Sequence, residues 1–411
     1  MMQKIAAVVG AIPSTRKGGG AITAYSAIEG FLQDGMEVDV VVLYGSEEDN
    51  YDNREDLLAL GAKVHFLNLE VLGNSSFARK VKNILGLKLV HLFPTLAVSP
   101  TVEHKLAEIG PDLLFTYHWE GLAAVYGISE YIKIGLVGDP IHLPTRFRNS
   151  LYSRLDSPLG VKQRIINFYT DVFVVKRQIK GMVALLNDCE IKGAFASHHA
   201  DEFSQMGVND CLYVRTPVPE VQPCTLDPGR RFKIVLIGHL VGIATLSGLE
   251  IFIKEIYPRV EQQVGRENFE VHLVGGFFDT MPKSFKDGLT KQNIVIRGQV
   301  SPADNEFLSA DVVLVPTPID LGIRVRIITA FSFGSLIVAH SANEKGIPEL
   351  VSGYNSLTGS NGKQLAEQII NVFNETVNVK EIKSNSRKTY ERFFTPNFFA
   401  KHMSEKVRGY F

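Results

Sequence analysis

Arg324 and Arg326 lie near the start of a predicted helix, which follows a buried strand and a proline-rich loop. Positive side chains at a helix N-terminus oppose the helix dipole and therefore cost some helix stability. They become favourable where an anion binds nearby, because a guanidinium pairs with a phosphate through two parallel hydrogen bonds. The pair predicts an anion site, with two solvated arginines as the alternative.

A second segment carries three consecutive glycines, Gly18, Gly19 and Gly20, between the first predicted strand and the first predicted helix. Without a Cβ atom, their backbone amides can approach a phosphate or a sugar closely. The segment has neither the Gly-Lys-Ser/Thr of a P-loop nor the spacing of a GxGxxG fingerprint. Its place at the carboxyl edge of a sheet favours a ligand-binding loop over an ordinary surface loop.

Two histidines also follow predicted strands. His118 comes after the strand that starts near Asp112, and it could bind a sugar hydroxyl or a phosphate, with Glu120 as a base or anchor. A histidine with a structural role is the alternative. His239 follows Gly238 in the turn after the strand Phe232–Ile237, where backbone amides and an imidazole could contact a diphosphate. An ordinary strand-to-helix loop is the alternative there.

The sequence predicts no metal site and no cofactor. It contains no Asp-x-Asp motif, and its three cysteines, Cys189, Cys211 and Cys224, show no paired spacing. Any anion is therefore expected to be neutralised by arginines and helix dipoles. So few cysteines indicate reduced thiols in a cytoplasmic protein.

The elements that position these residues alternate between strands and helices. Ile5–Val9 is a continuous apolar run, typical of a strand buried on both faces. A helix ending at Gly35 and a strand over Val38–Leu43 complete a parallel crossover unit. The second half of the chain restarts this alternation at Phe232–Ile237. There Ser247 and Glu250 have the spacing of a capping box, which predicts a helix beginning at Ser247.

The chain of 411 residues is long enough for two domains, and four prolines between residues 216 and 229 indicate a linker. We expect one domain over 1–220 and another over 230–385, with the tail 386–411 packing back onto the first. The net charge of −1 gives no support to nucleic-acid binding. No apolar run reaches the roughly 18 residues of a membrane span, and a peripheral membrane contact stays open. The oligomeric state cannot be read from the sequence.

Five segments resemble one known family. They are Ile237–Leu240, Leu249–Val260, Ile296–Val300, Ser309–Pro316 and Gly322–Gly334, and the similarity is strongest over Phe232–Gly359. Ile296–Val300 resembles the strand and turn that lie beside the nucleotide base in that family. The chain resembles retaining glycosyltransferases of the GT-B fold in family 4, also called glycosyl transferases group 1. The resemblance implies an α/β protein with two Rossmann-like, doubly wound parallel-sheet domains that face each other across a cleft.

The resemblance also implies an activity. The N-terminal domain would hold a glycan, a lipid-linked or another hydroxyl acceptor, and the C-terminal domain a nucleotide-diphosphate sugar. Transfer would be metal-independent and would retain the anomeric configuration. Catalytic roles would belong to His118, Arg324 and Arg326. Donor-binding roles would belong to Gly18, Gly19, Gly20, Gly238, His239, Gly275, Val300, Gly322 and Thr329.

The chain departs from the family at several positions. Thr329 stands where the family has a glutamate that binds the donor ribose, and the other glutamate of that pair would fall near Leu321, with only Asp320 adjacent. His239 and uncharged neighbours replace the arginine and lysine that the family has after the first strand of this domain. These departures keep two alternatives open. One is a GT-B-fold sugar-nucleotide epimerase that needs no acceptor. The other is a noncatalytic relative that acts as the partner of another transferase.

Overall fold

The computed structural model describes residues 3–69, 100–154, 175–221, 231–292 and 294–410. The chain divides into two compact units. The first contains Met1–Thr15, Ala21–Arg215 and Pro396–Phe411, and the second contains Arg16–Gly20 and Thr216–Thr395. The chain thus passes into the second unit within the proline-rich stretch, of which residues 222–230 lie outside the described residues. It rejoins the first unit ten residues after the start of the predicted tail, at Pro396.

The first unit is built on a seven-stranded parallel sheet with the order β3-β2-β1-β4-β5-β6-β7. The predicted strand Ile5–Val9 is confirmed, and each of its residues is buried, as expected for a strand covered on both faces. The order of the strands reverses between β1 and β4, which opens a crevice at the carboxyl edge. The strands are β1 (Lys4–Val9), β2 (Glu37–Val42), β3 (Lys63–Phe66), β4 (Leu113–Tyr117), β5 (Ile132–Val137), β6 (Ile191–Ala194) and β7 (Leu212–Tyr213).

Helices cover this sheet, and the C-terminal helix is one of them. Phe399 of that helix packs edge-on against Phe31, with ring centroids 5.5 Å apart. Gly30 allows this contact, because a Cβ atom there would overlap the carbonyl oxygen of Pro396. The helices are α1 (Gly19–Gln33), α2 (Tyr51–Leu60), α3 (Pro100–Ile109), α4 (His118–Ala124), α5 (Leu143–Arg154), α6 (Val175–Asn187), α7 (Ser197–Met206) and, from the C-terminus, α15 (Pro396–Val407).

The second unit has a six-stranded parallel sheet with the order β10-β9-β8-β11-β12-β13. The predicted strand Phe232–Ile237 is confirmed, and the order reverses between it and β11. The carboxyl ends of β8 and β11 therefore flank a second crevice. The strands are β8 (Phe232–Ile237), β9 (Phe269–Val274), β10 (Val295–Gly298), β11 (Val312–Val315), β12 (Ile337–His340) and β13 (Leu357–Gly359).

The helices of the second unit are α8 (Ile243–Ile251), α9 (Tyr257–Val264), α10 (Lys283–Lys291), α11 (Asp304–Ser309), α12 (Val325–Ser332), α13 (Gly362–Phe373) and α14 (Val379–Phe393). A π-helical turn over Phe252–Ile256 joins α8 and α9 into one continuous helix. Across the described ranges, no helix combines the length and the apolar character needed to cross a membrane.

The predicted start of the helix after β8 is wrong. The helix begins at Ile243, so Ser247 lies inside it and its hydroxyl donates to the carbonyl of Ala244 at 3.0 Å. Glu250 pairs with Lys254 at 2.9 Å on the exposed side and does not reach back to cap the helix. Gly242 holds the extended N-cap position, which shifts the start four residues upstream. A serine followed three residues later by a glutamate fits a helix interior as well as its first turn.

Candidate functional site

Arg326 lies at the carboxyl edge of the second sheet, in the first turn of α12. Its guanidinium donates to the carbonyl oxygen of Ile237 at 2.5 Å and to the hydroxyls of Thr317 at 3.1 Å and Thr245 at 3.3 Å. These partners come from the end of β8, the start of α8 and the loop after β11. The side chain therefore crosses the crevice at the point where the strand order reverses.

The charge of Arg326 has no counter-ion within the described part of the chain. All of its hydrogen-bond partners are neutral oxygens, and its buried Nε atom has no hydrogen-bond partner. Burial, followed by the neighbouring charge of Arg324, lowers the pKa of Arg326 to about 9, so it remains a cation at neutral pH. A cation held this way gains most from an anion that arrives with a ligand.

Arg324 takes the N-cap position of α12 and is half-buried. Its carbonyl accepts from the amide of Ile327 at 2.7 Å, which closes the first turn of the helix. The structure therefore confirms that both predicted arginines lie at the N-terminus of one helix. Arg326 extends across the crevice to Ile237.

Glycines create the space that this arrangement needs. A Cβ atom on Gly238 would overlap the guanidinium of Arg326, and one on Gly275 would overlap the carbonyl oxygen of Gly238. The loops after β8 and β9 therefore approach backbone to backbone beside Arg326. Gly238, His239 and Gly275, all predicted donor-binding residues, are brought together here. His239 is exposed, and its ring meets the ring of Phe277 with centroids 4.8 Å apart.

The glycine-rich segment also reaches this place. Residues Arg16–Gly20 belong to the second unit, and a Cβ atom on Gly19 would come within 2.8 Å of the Val325 side chain. The hydroxyl of Ser301 donates to the carbonyl of Arg16 at 3.3 Å. No atom lies within 4 Å of the position that a Cβ on Gly18 would take. Gly19 thus lies beside the N-terminus of α12, next to the two arginines.

Thr329 lies one turn further along α12. Its hydroxyl donates back to the carbonyl of Val325 at 3.1 Å, a common arrangement for threonine inside a helix. The oxygen can still accept a hydrogen bond, whereas the carboxylate expected from the family would accept two. Gly322, with φ of 61°, lies in the loop before α12, and the half-buried Val300 follows the edge strand β10.

His118 belongs to the first unit and begins α4 directly after β4. Its φ is 62°, a left-handed backbone conformation that is uncommon for residues other than glycine. The ring packs edge-on against Tyr117, with centroids 4.2 Å apart, and Gly138 leaves room for it on the next strand end. Burial lowers the pKa of His118 to about 4. The imidazole is therefore neutral near pH 7 and can exchange hydrogen bonds with a hydroxyl group.

Thr245 and Thr317 are the residues that the sequence analysis missed. Their hydroxyls hold the guanidinium of Arg326, and Thr317 also donates to the carbonyl of Ala244 at 3.0 Å. A single threonine, in a loop or in the first turn of a helix, carries no distinctive sequence pattern. The signal that could have found Thr317 is its place between two prolines directly after a buried strand.

The site predicts a sharp effect for one small substitution. Replacing Gly238 with alanine should weaken binding of a phosphate-type anion about tenfold, because the added methyl group would push the Arg326 guanidinium out of the crevice. Titration calorimetry with inorganic pyrophosphate would measure the change. Gly409 is exposed with no atom within 4 Å of the position that its Cβ would take, so Gly409→Ala is the matched control and should bind as the wild type does. Equal affinities for Gly238→Ala and Gly409→Ala would contradict this placement.

Comparison with known proteins gives a consistent picture of the second unit. The sequence model of the family described as "Glycosyl transferases group 1" matches residues 231–375. That segment contains the crevice, both arginines and the loops after β8, β9 and β10. No curated protein sequence matches the chain.

Solved structures match the chain along nearly its whole length. The crystal structure of Anabaena Alr3699/HepE in complex with UDP and glucose is 14% identical, with a TM-score of 0.67, and covers 99% of this chain and 99% of its own. A variant of S. aureus TarM in complex with fondaparinux, alpha-GlcNAc-glycerol and UDP is 13% identical, with a TM-score of 0.66, again covering 99% of both chains. The chain has the GT-B fold. The predicted fold class, with two Rossmann-like parallel-sheet units, is therefore confirmed.

A third solved structure also has this fold. The putative UDP-N-acetylglucosamine 2-epimerase from Listeria monocytogenes is 12% identical, with a TM-score of 0.52. It covers 100% of this chain and 97% of its own. Similarity to this fold therefore extends to a protein described as an epimerase.

Proposed function

We propose that the protein is a glycosyltransferase that takes a sugar from a nucleotide-diphosphate donor. The observation that carries this proposal is the guanidinium of Arg326, which crosses the crevice without a carboxylate partner among the described residues. The match of residues 231–375 to glycosyl transferases group 1, and the UDP bound in two solved structures of the same fold, support a nucleotide sugar as the ligand.

Lys233, a buried cation in the same unit, differs from Arg326 in having a carboxylate partner. Lys233 is buried at the start of β8 and pairs with Glu306 at 2.9 Å. Ser309 accepts a second hydrogen bond from the same ammonium group at 2.7 Å. Lys233 therefore carries its own counter-ion and needs none from outside. Arg326 lies at the carboxyl edge of the second sheet without a carboxylate partner among the described residues, and there a diphosphate would supply the missing negative charge.

The proposed mechanism uses preorganised positive groups. As the bond between the sugar and the diphosphate breaks, negative charge grows on the diphosphate and the sugar gains oxocarbenium character. Arg324, Arg326, the N-terminus of α12 and the amides of Gly18–Gly20 would stabilise that growing charge. Because these groups are held in place before the reaction, they need no reorganisation during it. Retention of the anomeric configuration follows from the resemblance to retaining glycosyltransferases of family 4.

The first unit would hold the acceptor, a glycan, a lipid-linked sugar or another hydroxyl compound. The neutral His118, fixed by its unusual backbone and by Tyr117, would orient a hydroxyl of the reacting sugar. A solved structure of the same fold, the TarM variant, contains alpha-GlcNAc-glycerol and fondaparinux, which supports a glycan-type acceptor.

The central test uses a panel of nucleotide sugars. The protein should show a thermal shift with one donor and should release free nucleotide when an acceptor is added. Conversion of the donor into an epimer without release of nucleotide would instead support the epimerase, a function favoured by the similarity to the Listeria structure. Absence of binding across the panel would contradict the transferase and support a noncatalytic partner, as the loss of the family glutamate at Thr329 would suggest.

Removal of divalent metal ions should leave turnover unchanged. Arginines and helix dipoles would neutralise the diphosphate, and the described residues contain no group of three His, Cys, Asp or Glu side chains arranged to hold a metal. Nucleotide release would be compared in EDTA and in EDTA saturated with Mg²⁺. A loss of activity that Mg²⁺ restores would contradict metal independence.

A further inference from the structure

Phe277 occupies an unusual position in the loop after β9. Its φ is 73°, a left-handed conformation that crowds the Cβ atom of a bulky residue, and 58% of its surface is exposed. The protein therefore holds a large apolar ring outward, in a strained backbone, where a glycine would fit more easily. Strain of this kind persists where the surrounding structure and a functional role maintain it.

The surroundings of Phe277 fix its ring beside the crevice. The ring of His239 meets it edge-on at 4.8 Å, and the preceding Gly275 lies against the backbone of Gly238. A Cβ atom on Gly276 would lie 3.2 Å from the amide oxygen of Gln299. The loops after β8, β9 and β10 are thus packed side by side, with Phe277 exposed among them.

The two sides of the crevice differ: glycines and the exposed ring of Phe277 lie on this side, and a buried amide lies on the other. Beyond β11, the buried Asn343 donates to the carbonyls of Thr317 at 3.3 Å and His340 at 2.8 Å. This amide closes the space between the ends of β11 and β12. A nucleotide with its diphosphate at Arg326 would therefore extend its nucleoside across the ends of β8 and β9, where glycines and an exposed aromatic ring lie.

We propose that the nucleobase of the donor stacks on the ring of Phe277, which His239 supports from its edge. This inference rests on the proposed function of the second unit and assigns one part of the donor to it. An aromatic ring is a suitable platform because every nucleobase presents a flat π face to it.

The test compares nucleoside diphosphates with inorganic pyrophosphate by titration calorimetry. Phe277→Gly should weaken binding of UDP or GDP about tenfold or more and leave pyrophosphate affinity unchanged, since pyrophosphate has no base. Phe277→Tyr, which keeps the ring, should bind as the wild type does. Because glycine accepts a φ of 73° without strain, the Tm of Phe277→Gly should not fall. Tyr354→Leu, at another exposed aromatic of the second unit, is the control and should change nothing.

Three outcomes would overturn the assignment. Phe277→Gly could bind nucleoside diphosphates as tightly as the wild type does. It could lose pyrophosphate affinity in the same proportion, which would show a distorted phosphate site. It could also lose affinity for the sugar nucleotide while UDP binding is unchanged, which would place the sugar on the ring. Failure of the wild-type protein to bind any nucleotide would instead reject the proposed function, and the platform with it.

Discussion

Replacing Arg326 with glutamine should lower kcat/KM for the donor by about a hundredfold to a thousandfold. The substitution removes the positive charge that faces the crevice, and with it the stabilisation of a diphosphate whose negative charge grows during transfer. Glutamine keeps a neutral amide donor, but its side chain is shorter than that of arginine and reaches less far toward the carbonyl of Ile237 and the hydroxyl of Thr317. Initial rates of nucleotide release would measure the change.

The stability of the same variant separates a functional role from a structural one. Loss of the hydrogen bonds of Arg326 destabilises the fold, but removal of a buried charge without a counter-ion stabilises it. The two effects oppose each other, so the free energy of unfolding should change by no more than about 1–2 kcal/mol. Arg259→Gln is the control, because Arg259 is exposed and donates to the carbonyl of Glu255 within its own helix. Unchanged turnover and nucleotide affinity in Arg326→Gln would refute the proposed site.

Replacing His118 with asparagine should lower kcat/KM by about a hundredfold through misplacement of the reacting sugar. Asparagine tolerates the left-handed conformation that His118 adopts, so the fold should be retained. His118→Ala should lose a similar amount of activity and, in addition, about 1 kcal/mol of stability from backbone strain. Turnover equal to that of the wild type in His118→Asn would show that the imidazole has no part in the reaction.

The same variant should change how stability depends on pH. Burial lowers the pKa of His118 from 6.5 to about 4 in the folded protein, so the unfolded chain binds the proton first as the pH falls. The contribution to stability is therefore present above pH 6.5 and is lost as the pH falls toward 4. His118→Asn lacks this titrating group, so between pH 7 and pH 4 its free energy of unfolding should fall by less than that of the wild type, with a difference of up to about 3 kcal/mol.

Denaturant titrations at pH 7 and pH 4 would measure that difference. The pKa of His142 is also lowered to about 4, by burial and by Arg146, so His118→Asn should retain a second, independent loss in acid. Replacing both histidines with asparagine should reduce further the difference between the free energies of unfolding at pH 7 and pH 4. An acid profile that is identical in wild type and His118→Asn would contradict the burial of a neutral imidazole at position 118.

Much of the fold could be predicted from local sequence patterns. The apolar runs at Ile5–Val9 and Phe232–Ile237 are strands because residues buried on both faces of a parallel sheet must all be apolar. Repeated strand–helix alternation, with a break at a proline-rich stretch, was enough to predict two doubly wound units. The start of the helix after β8 was predicted wrongly, because Ser247 and Glu250 satisfy a local rule that burial and Gly242 override.

The sequence by itself also placed Arg324 and Arg326 at the start of one helix, because a helix start depends on neighbouring residues. Only the tertiary structure decided that Arg326 reaches Ile237, 89 residues away, and that its charge meets no carboxylate in the described part of the chain. The strained ring of Phe277 and its contact with His239 likewise depend on packing between loops that are distant in sequence. Local propensity acts over one or two helical turns. The chemistry of the crevice depends instead on the order of the strands in the sheet, because that order decides which loops become neighbours at its carboxyl edge.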